Sequence, residues 1–140
     1  MDRANKDKGR EFLSALFSAD AARLGGLIPE DFKMWMPQSA SKAAGMPVPL
    51  VGRDNAIAVL TGFGGSIFKR STVQWDEMTA LAEADRVAIQ FRLRGQTVAG
   101  LDYDNTYVFL FRIAGEKVAE VWESTDTAYA QSVFFAKAAQ

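Results

Sequence analysis

The apolar side chains change their spacing near Ser71, and that change leaves few folds open. Before it, apolar residues recur at helical intervals. Phe12, Leu13, Leu16 and Phe17 form the stripe of a helix over Asn5 to Ser18. Asp20 caps a short second helix, Ala21 to Leu27, which Gly25-Gly26 weakens and Pro29 stops. Phe32 to Met36 is a strand before Pro37. Gln38 to Val51 is rich in Ser, Ala, Gly and Pro and has no period, so it is expected to be a loop, placed as a flap beside a pocket. Gly52-Arg53-Asp54 opens a third helix, with Asp54 as its cap and Ile57, Leu60 and Phe63 as its stripe. Gly62, Gly64 and Gly65 weaken its second half.

After Ser71 the period is two. Thr72 to Ala82, Arg86 to Arg94, Tyr103 to Phe111 and Val118 to Ser124 read as successive strands. Glu83-Ala84-Asp85 and Gly115-Glu116-Lys117 turn the chain between them. Thr127 to Ala139 closes it as a helix, capped by Asp126, with Tyr129, Val133 and Phe134 along one side. Helices segregated from sequential strands define an α+β fold: an antiparallel sheet, three N-terminal helices and a C-terminal helix covering one face. If that sheet curves, the layers enclose a cone-shaped pocket. No internal repeat is present, and residues 1–140 are expected to form one domain.

Composition narrows the chemistry. The 140 residues include no cysteine and no histidine. Disulfides and thiolate zinc sites are excluded, and the commonest general base and metal ligand are missing. Acid–base work falls to Asp, Glu, Tyr or Lys, with no cofactor expected. The net charge is −1 and the basic residues are scattered, so no nucleic-acid footprint exists. The N-terminus is polar and no apolar run is long enough for a signal peptide or membrane span, so a cytoplasmic protein is expected.

Tyr103, Asn105, Tyr107, Phe109 and Phe111 share one sheet face. It is aromatic apart from one amide and the phenols, which is how small-molecule pockets are built. Phe91, Leu93 and Phe109, with Phe12 and Trp35 from the earlier elements, are the expected apolar contacts of a ligand. Tyr107 and Asn105 would orient its carbonyl or hydroxyl. On the plainer account Tyr107 is core, Asn105 satisfies a bulge, Trp35 is core and Lys33 is exposed. The facing of Glu123 stays open, because Val118 and Trp122 lie opposite Val121 in strict alternation. Either its carboxyl enters the pocket, where desolvation raises its pKa above the usual ~4.3, or it pairs with Arg92 or Arg94. Asp102 and Asp104 alternate away from Asn105, so no metal site is expected.

Several motifs follow one another in a telling order: Ser18-Ala19-Asp20 after the first helix, Gly52-Arg53-Asp54 before the third, Tyr103-x-Asn105-x-Tyr107, the Gly-Glu-Lys turn, and Glu123-Ser124-Thr125-Asp126-Thr127. Over nearly its whole length the chain resembles the nuclear transport factor 2-like superfamily, in its SnoaL-like polyketide cyclase and ketosteroid isomerase-like branch. The resemblance implies a curved sheet wrapped by three helices, a pocket within, a homodimer, and Glu123 pointing into the cavity. It does not fix an activity, since such folds serve isomerases, cyclases, dehydratases, epoxide hydrolases and non-catalytic proteins. Ketosteroid isomerases carry a tyrosine where Phe12 stands and an aspartate where Met36 stands, with a second oxyanion donor near Tyr107. The Arg-x-Asp pair of limonene epoxide hydrolases falls on Phe91 and Leu93, leaving Glu123 alone. SnoaL-type cyclases rely on His and Asp, and histidine is absent. No set is complete.

Two functions therefore stand. One is a cofactor-independent isomerase, cyclase or hydrolase of a small hydrophobic, oxygen-bearing molecule, with Glu123 as acid–base group and Asn105 and Tyr107 positioning oxygen. The other is a non-catalytic ligand-binding or dimeric interaction domain, in which the face carrying Arg92, Arg94, Thr106 and Val108 supports the dimer.

Overall fold

A single six-stranded sheet carries helices on one face, in a computed structural model that describes all residues except 44 and 136–140, and the side chains of all of these except 43 and 63–65. The elements run α1 (Asp2–Phe17), α2 (Ala21–Leu27), β1 (Lys33–Trp35), α3 (Gln38–Ala43), β2 (Leu50–Val51), α4 (Arg53–Ile67), a 3-10 turn (Arg70–Thr72), β3 (Gln74–Glu83), β4 (Arg86–Gln96), β5 (Asp102–Ala114), β6 (Lys117–Thr125) and α5 (Thr127–Phe134). The strand order is β2-β1-β6-β5-β4-β3. All neighbours are antiparallel except β1 and β6, which run parallel with Met34 beside Val121. The α+β class is as expected, with that one parallel pair added to the sheet.

The periodic segments fold as their patterns require. Val87, Ile89 and Phe91 on β4 and Tyr103, Phe109 and Phe111 on β5 are buried against the helices. Helix α1 lies across this face, and Gly9 lets it approach. A Cβ at Gly9 would stand 2.9 Å from Ile89 Cδ1, closer than two carbons pack. The Asp20 and Asp126 carboxylates each accept a backbone N–H, from Arg23 and Tyr129, at 3.0 Å. Both cap their helices as the sequence predicts.

Three expectations need correction. The segment 38–51 is not all loop: it holds the short helix α3 and strand β2, whose Leu50 pairs with Met34. A six-residue helix of mostly small side chains has no apolar stripe to reveal it. Asp54 is not a cap. Gly52 turns the chain at φ +95° and α4 begins at Arg53, so Asp54 lies inside the first turn with its side chain 99% exposed. Helix α5 ends at Phe134 with Phe135 as its C-cap, short of the expected Ala139, and 136–139 lies outside the described residues. The Phe63 side chain does too.

Register shifts break the alternation in two places, between Glu77 and Thr79 on β3 and opposite Arg112 and Ile113 on β6. Bulges of this kind bend strands and increase their twist. The second one decides the facing of Glu123. Arg112 pairs with Glu120 but Ile113 pairs with Val118, so Ala119 is the extra residue. Val118 and Val121 are both fully buried despite their odd spacing. From Val121 onward the inner face runs through Glu123, which pairs with Phe109, to Thr125, which pairs with Tyr107. Among the described residues no helix is long and apolar enough to cross a membrane.

Candidate functional site

A cavity of about 160 Å³ opens between the inner sheet face and the ends of the helices. A cavity near this size, roughly 150 Å³, admits a benzene ring. Leu16 and Phe17 from the last turn of α1 form one wall, and Met36 and Ser41 another. Val59 and Leu60 on α4 and Phe134 on α5 close it. The floor is the sheet: Leu93, Phe109, Tyr107, Glu123 and Thr125.

Glu123 is half-buried, with its carboxyl among Phe109, Tyr107 and the apolar helix ends. No described residue hydrogen-bonds to it, and burial pushes its pKa up to about 7. Its alternative arginine partners are engaged on the far face of the sheet, Arg92 with Asp104 and Arg94 with Asp76. At neutral pH such a carboxyl is present in both protonation states, which suits it to take and return a proton. Tyr107 presents its ring to the same cavity, and burial raises its phenol pKa. Its hydroxyl lies 2.6 Å from that of Tyr103.

Four residues expected at the pocket do not line it. Phe12 is fully buried one turn too early on α1, between Phe32 and Phe111 at ring separations of 6.1 and 5.6 Å. Phe91 lies beneath Tyr107, stacked at 5.4 Å, and Tyr107 takes the cavity surface instead. Trp35 faces the other side of the sheet, because its neighbour Met34 takes the inner face beside Val121. It stacks on Trp122 at 4.9 Å. Asn105 is buried and its amide is fully committed: Nδ2 donates to Tyr103 Oη at 2.8 Å and to the Asp126 carbonyl at 3.1 Å, and Oδ1 accepts the Thr106 N–H. Lys33 is exposed. The structure thus brings Glu123, Tyr107, Leu93 and Phe109 together and leaves Phe12, Phe91, Trp35 and Asn105 outside.

It also adds residues. Ser41 is fully buried at the cavity wall, and its hydroxyl has no hydrogen-bond partner among the described residues. A lone serine in an aperiodic stretch carries no sequence signal. Thr125 lines the floor and donates its own hydroxyl to the Thr106 carbonyl at 2.8 Å. Among the described residues no cluster of acidic side chains could hold a metal ion.

The SnoaL-like domain family matches residues 9–121, and the chain belongs to it. Solved structures of the nuclear transport factor 2-like fold superpose over almost the full length. A protein from Jannaschia sp. CCS1, designated a SnoaL-like polyketide cyclase, shares 19% identity at a TM-score of 0.81, covering 98% of this chain and 95% of that one. An NTF2-like protein of unknown function from Burkholderia pseudomallei K96243 shares 16% at 0.82, covering 95% and 98%. TerC, co-crystallised with polyporic acid, shares 11% at 0.81, covering 95% and 99%. No curated protein matches by sequence. At these identities the similarity establishes the fold.

Proposed function

We propose that this protein is a cofactor-independent acid–base enzyme acting on a small, mainly apolar molecule that carries oxygen. The observation behind it is Glu123: a carboxyl with no hydrogen-bond partner among the described residues, with a pKa near 7, on the floor of an apolar cavity beside a phenol. A carboxylate so placed removes a proton next to a carbonyl, or protonates a leaving oxygen, and returns to its starting state without a cofactor. The binding of polyporic acid by TerC is in keeping with a ring-bearing, oxygenated ligand. The test is turnover of small cyclic ketones, enol ethers and epoxides by wild type and Glu123→Gln. A responsive substrate should lose about a hundredfold or more in kcat, and wild-type kcat/KM should show a limb near pH 7. Equal turnover by the two proteins would remove Glu123 from the mechanism.

The missing acid–base partner favours a second reading. Phe12 and Met36 offer no proton, and Asn105 is already satisfied by protein groups. A cavity with one titrating carboxyl also serves a non-catalytic carrier. Ligand binding without turnover in either protein would select this reading.

We propose that a homodimer forms through the outer sheet face. There Trp35 and Trp122 stack half-exposed, Arg86 lies 5.1 Å over Trp122, and Leu81 is exposed nearby. The Arg92–Asp104 and Arg112–Glu120 pairs balance charge across that face, so two copies meet without like-charge repulsion. Sedimentation should give a dimeric mass that Trp122→Glu converts to the monomer.

A further inference from the structure

All three tyrosines of the chain meet at one corner of the sheet, and donor accounting there has only one solution. The Asn105 amide is fixed first. The Asp126 carbonyl can only accept, so Nδ2 must face it. The Thr106 N–H can only donate, so Oδ1 must face that. Nδ2 has one proton left, and it goes to Tyr103 Oη at 2.8 Å. Tyr103 is therefore an acceptor already. It is 1% exposed, and its one other hydrogen-bond partner among the described residues is Tyr107 Oη at 2.6 Å. If Tyr107 donated to it, the Tyr103 proton would be buried without an acceptor, at a cost of about 1–3 kcal/mol. Tyr103 therefore donates and Tyr107 accepts. That leaves the Tyr107 proton two destinations: Thr125 Oγ, whose own proton is given to the Thr106 carbonyl, or the open cavity beside Glu123.

From this we infer that Asn105 and Tyr103 are positioning residues: anchored by the cap of α5, they aim the Tyr107 hydroxyl proton at a ligand acceptor, and the cavity selects molecules with a carbonyl or oxyanion beside Glu123. The inference rests on the cavity reading above and adds the chemical class of the ligand. Each bond in such a chain polarises the next, so Tyr107 is a stronger donor for accepting from Tyr103.

The test uses acetophenone and α-methylstyrene, equal in shape, one with a carbonyl oxygen and the other with a methylene in its place. Titrations are made well above pH 7, where the Glu123 carboxylate can only accept. Wild type should prefer the ketone by about tenfold, with its carbonyl stretch shifted to lower frequency. Tyr107→Phe should bring the preference close to one. Tyr103→Phe leaves Tyr107 in place, yet should lower the preference about threefold and move the carbonyl band toward that of Tyr107→Phe. Its affinity for α-methylstyrene should stay at the wild-type value, whereas a merely structural role would weaken both ligands together. Thr125→Val removes the competing acceptor and should raise the preference, and it decides the matter alone if Tyr103→Phe does not fold. Wild-type preference and carbonyl frequency in Tyr103→Phe, with both lost in Tyr107→Phe, would overturn the relay and leave the cavity reading standing. An unchanged preference in Thr125→Val would overturn it as well. Failure of both ligands to bind wild type would overturn the cavity reading and this inference together.

Discussion

Glu123→Gln is expected to stabilise the protein above pH 7 while removing the acid–base group of the proposed mechanism. Burial holds the Glu123 carboxyl protonated to about pH 7 in the folded chain, against a usual value of 4.5. Between those values the folded state binds a proton that the unfolded state has released, so stability falls as pH rises through this window. The loss is complete above about pH 7 and absent below about pH 4.5. Its upper size is about 3 kcal/mol, from the shift at 1.36 kcal/mol per unit. Glutamine keeps the shape and cannot ionise. Chemical unfolding of both proteins should coincide near pH 4, diverge between about pH 4.5 and 7, and keep a constant gap above that, with the variant more stable. Parallel curves would show that Glu123 is solvated, and the acid–base proposal would then lose its foundation.

Phe91→Ala is expected to cost about 3–5 kcal/mol, enough to unfold much of the population of a domain of this size. Its ring is fully buried and in contact with Phe17, Trp75, Tyr107 and Phe109. Truncation leaves a void under Tyr107 that the sheet cannot close. Leu93→Ala, at the cavity surface, removes a wall that is already open on one side and should cost less. Denaturant midpoints of the two variants compare a supporting residue with a lining one. A smaller loss at Phe91 than at Leu93 would reverse that assignment.

These predictions also mark where the sequence could be read and where it could not. The alternation of β4 and β5 and the stripe of α1 fixed which residues face inward, because period and facing are local properties of the backbone. Capping by Asp20 and Asp126 was equally legible, since each cap spans only four consecutive residues. Depth below the surface is not local. Phe12 and Phe17 share one stripe, and Phe91 and Leu93 one strand face, yet one of each pair is core and the other lines the cavity. Only the stacking of helix ends over the sheet separates them. Asn105 stands inward as the pattern requires, but Tyr103, the Asp126 cap of α5 and the next residue take its hydrogen bonds and leave it nothing to offer a ligand.

By itself, then, the sequence determined the α+β class, the order of elements, the absence of histidine and cysteine chemistry, and the aromatic character of the inner face. Tertiary structure decided where the cavity sits and what faces it. The physical reason is concentrated in Ala119. One extra residue in β6 shifts the alternation by a single position, and an acid that strict period-two counting could not orient comes to stand beside Phe109 and Tyr107. A bulge is specified by the register of two paired strands, which neither strand encodes alone.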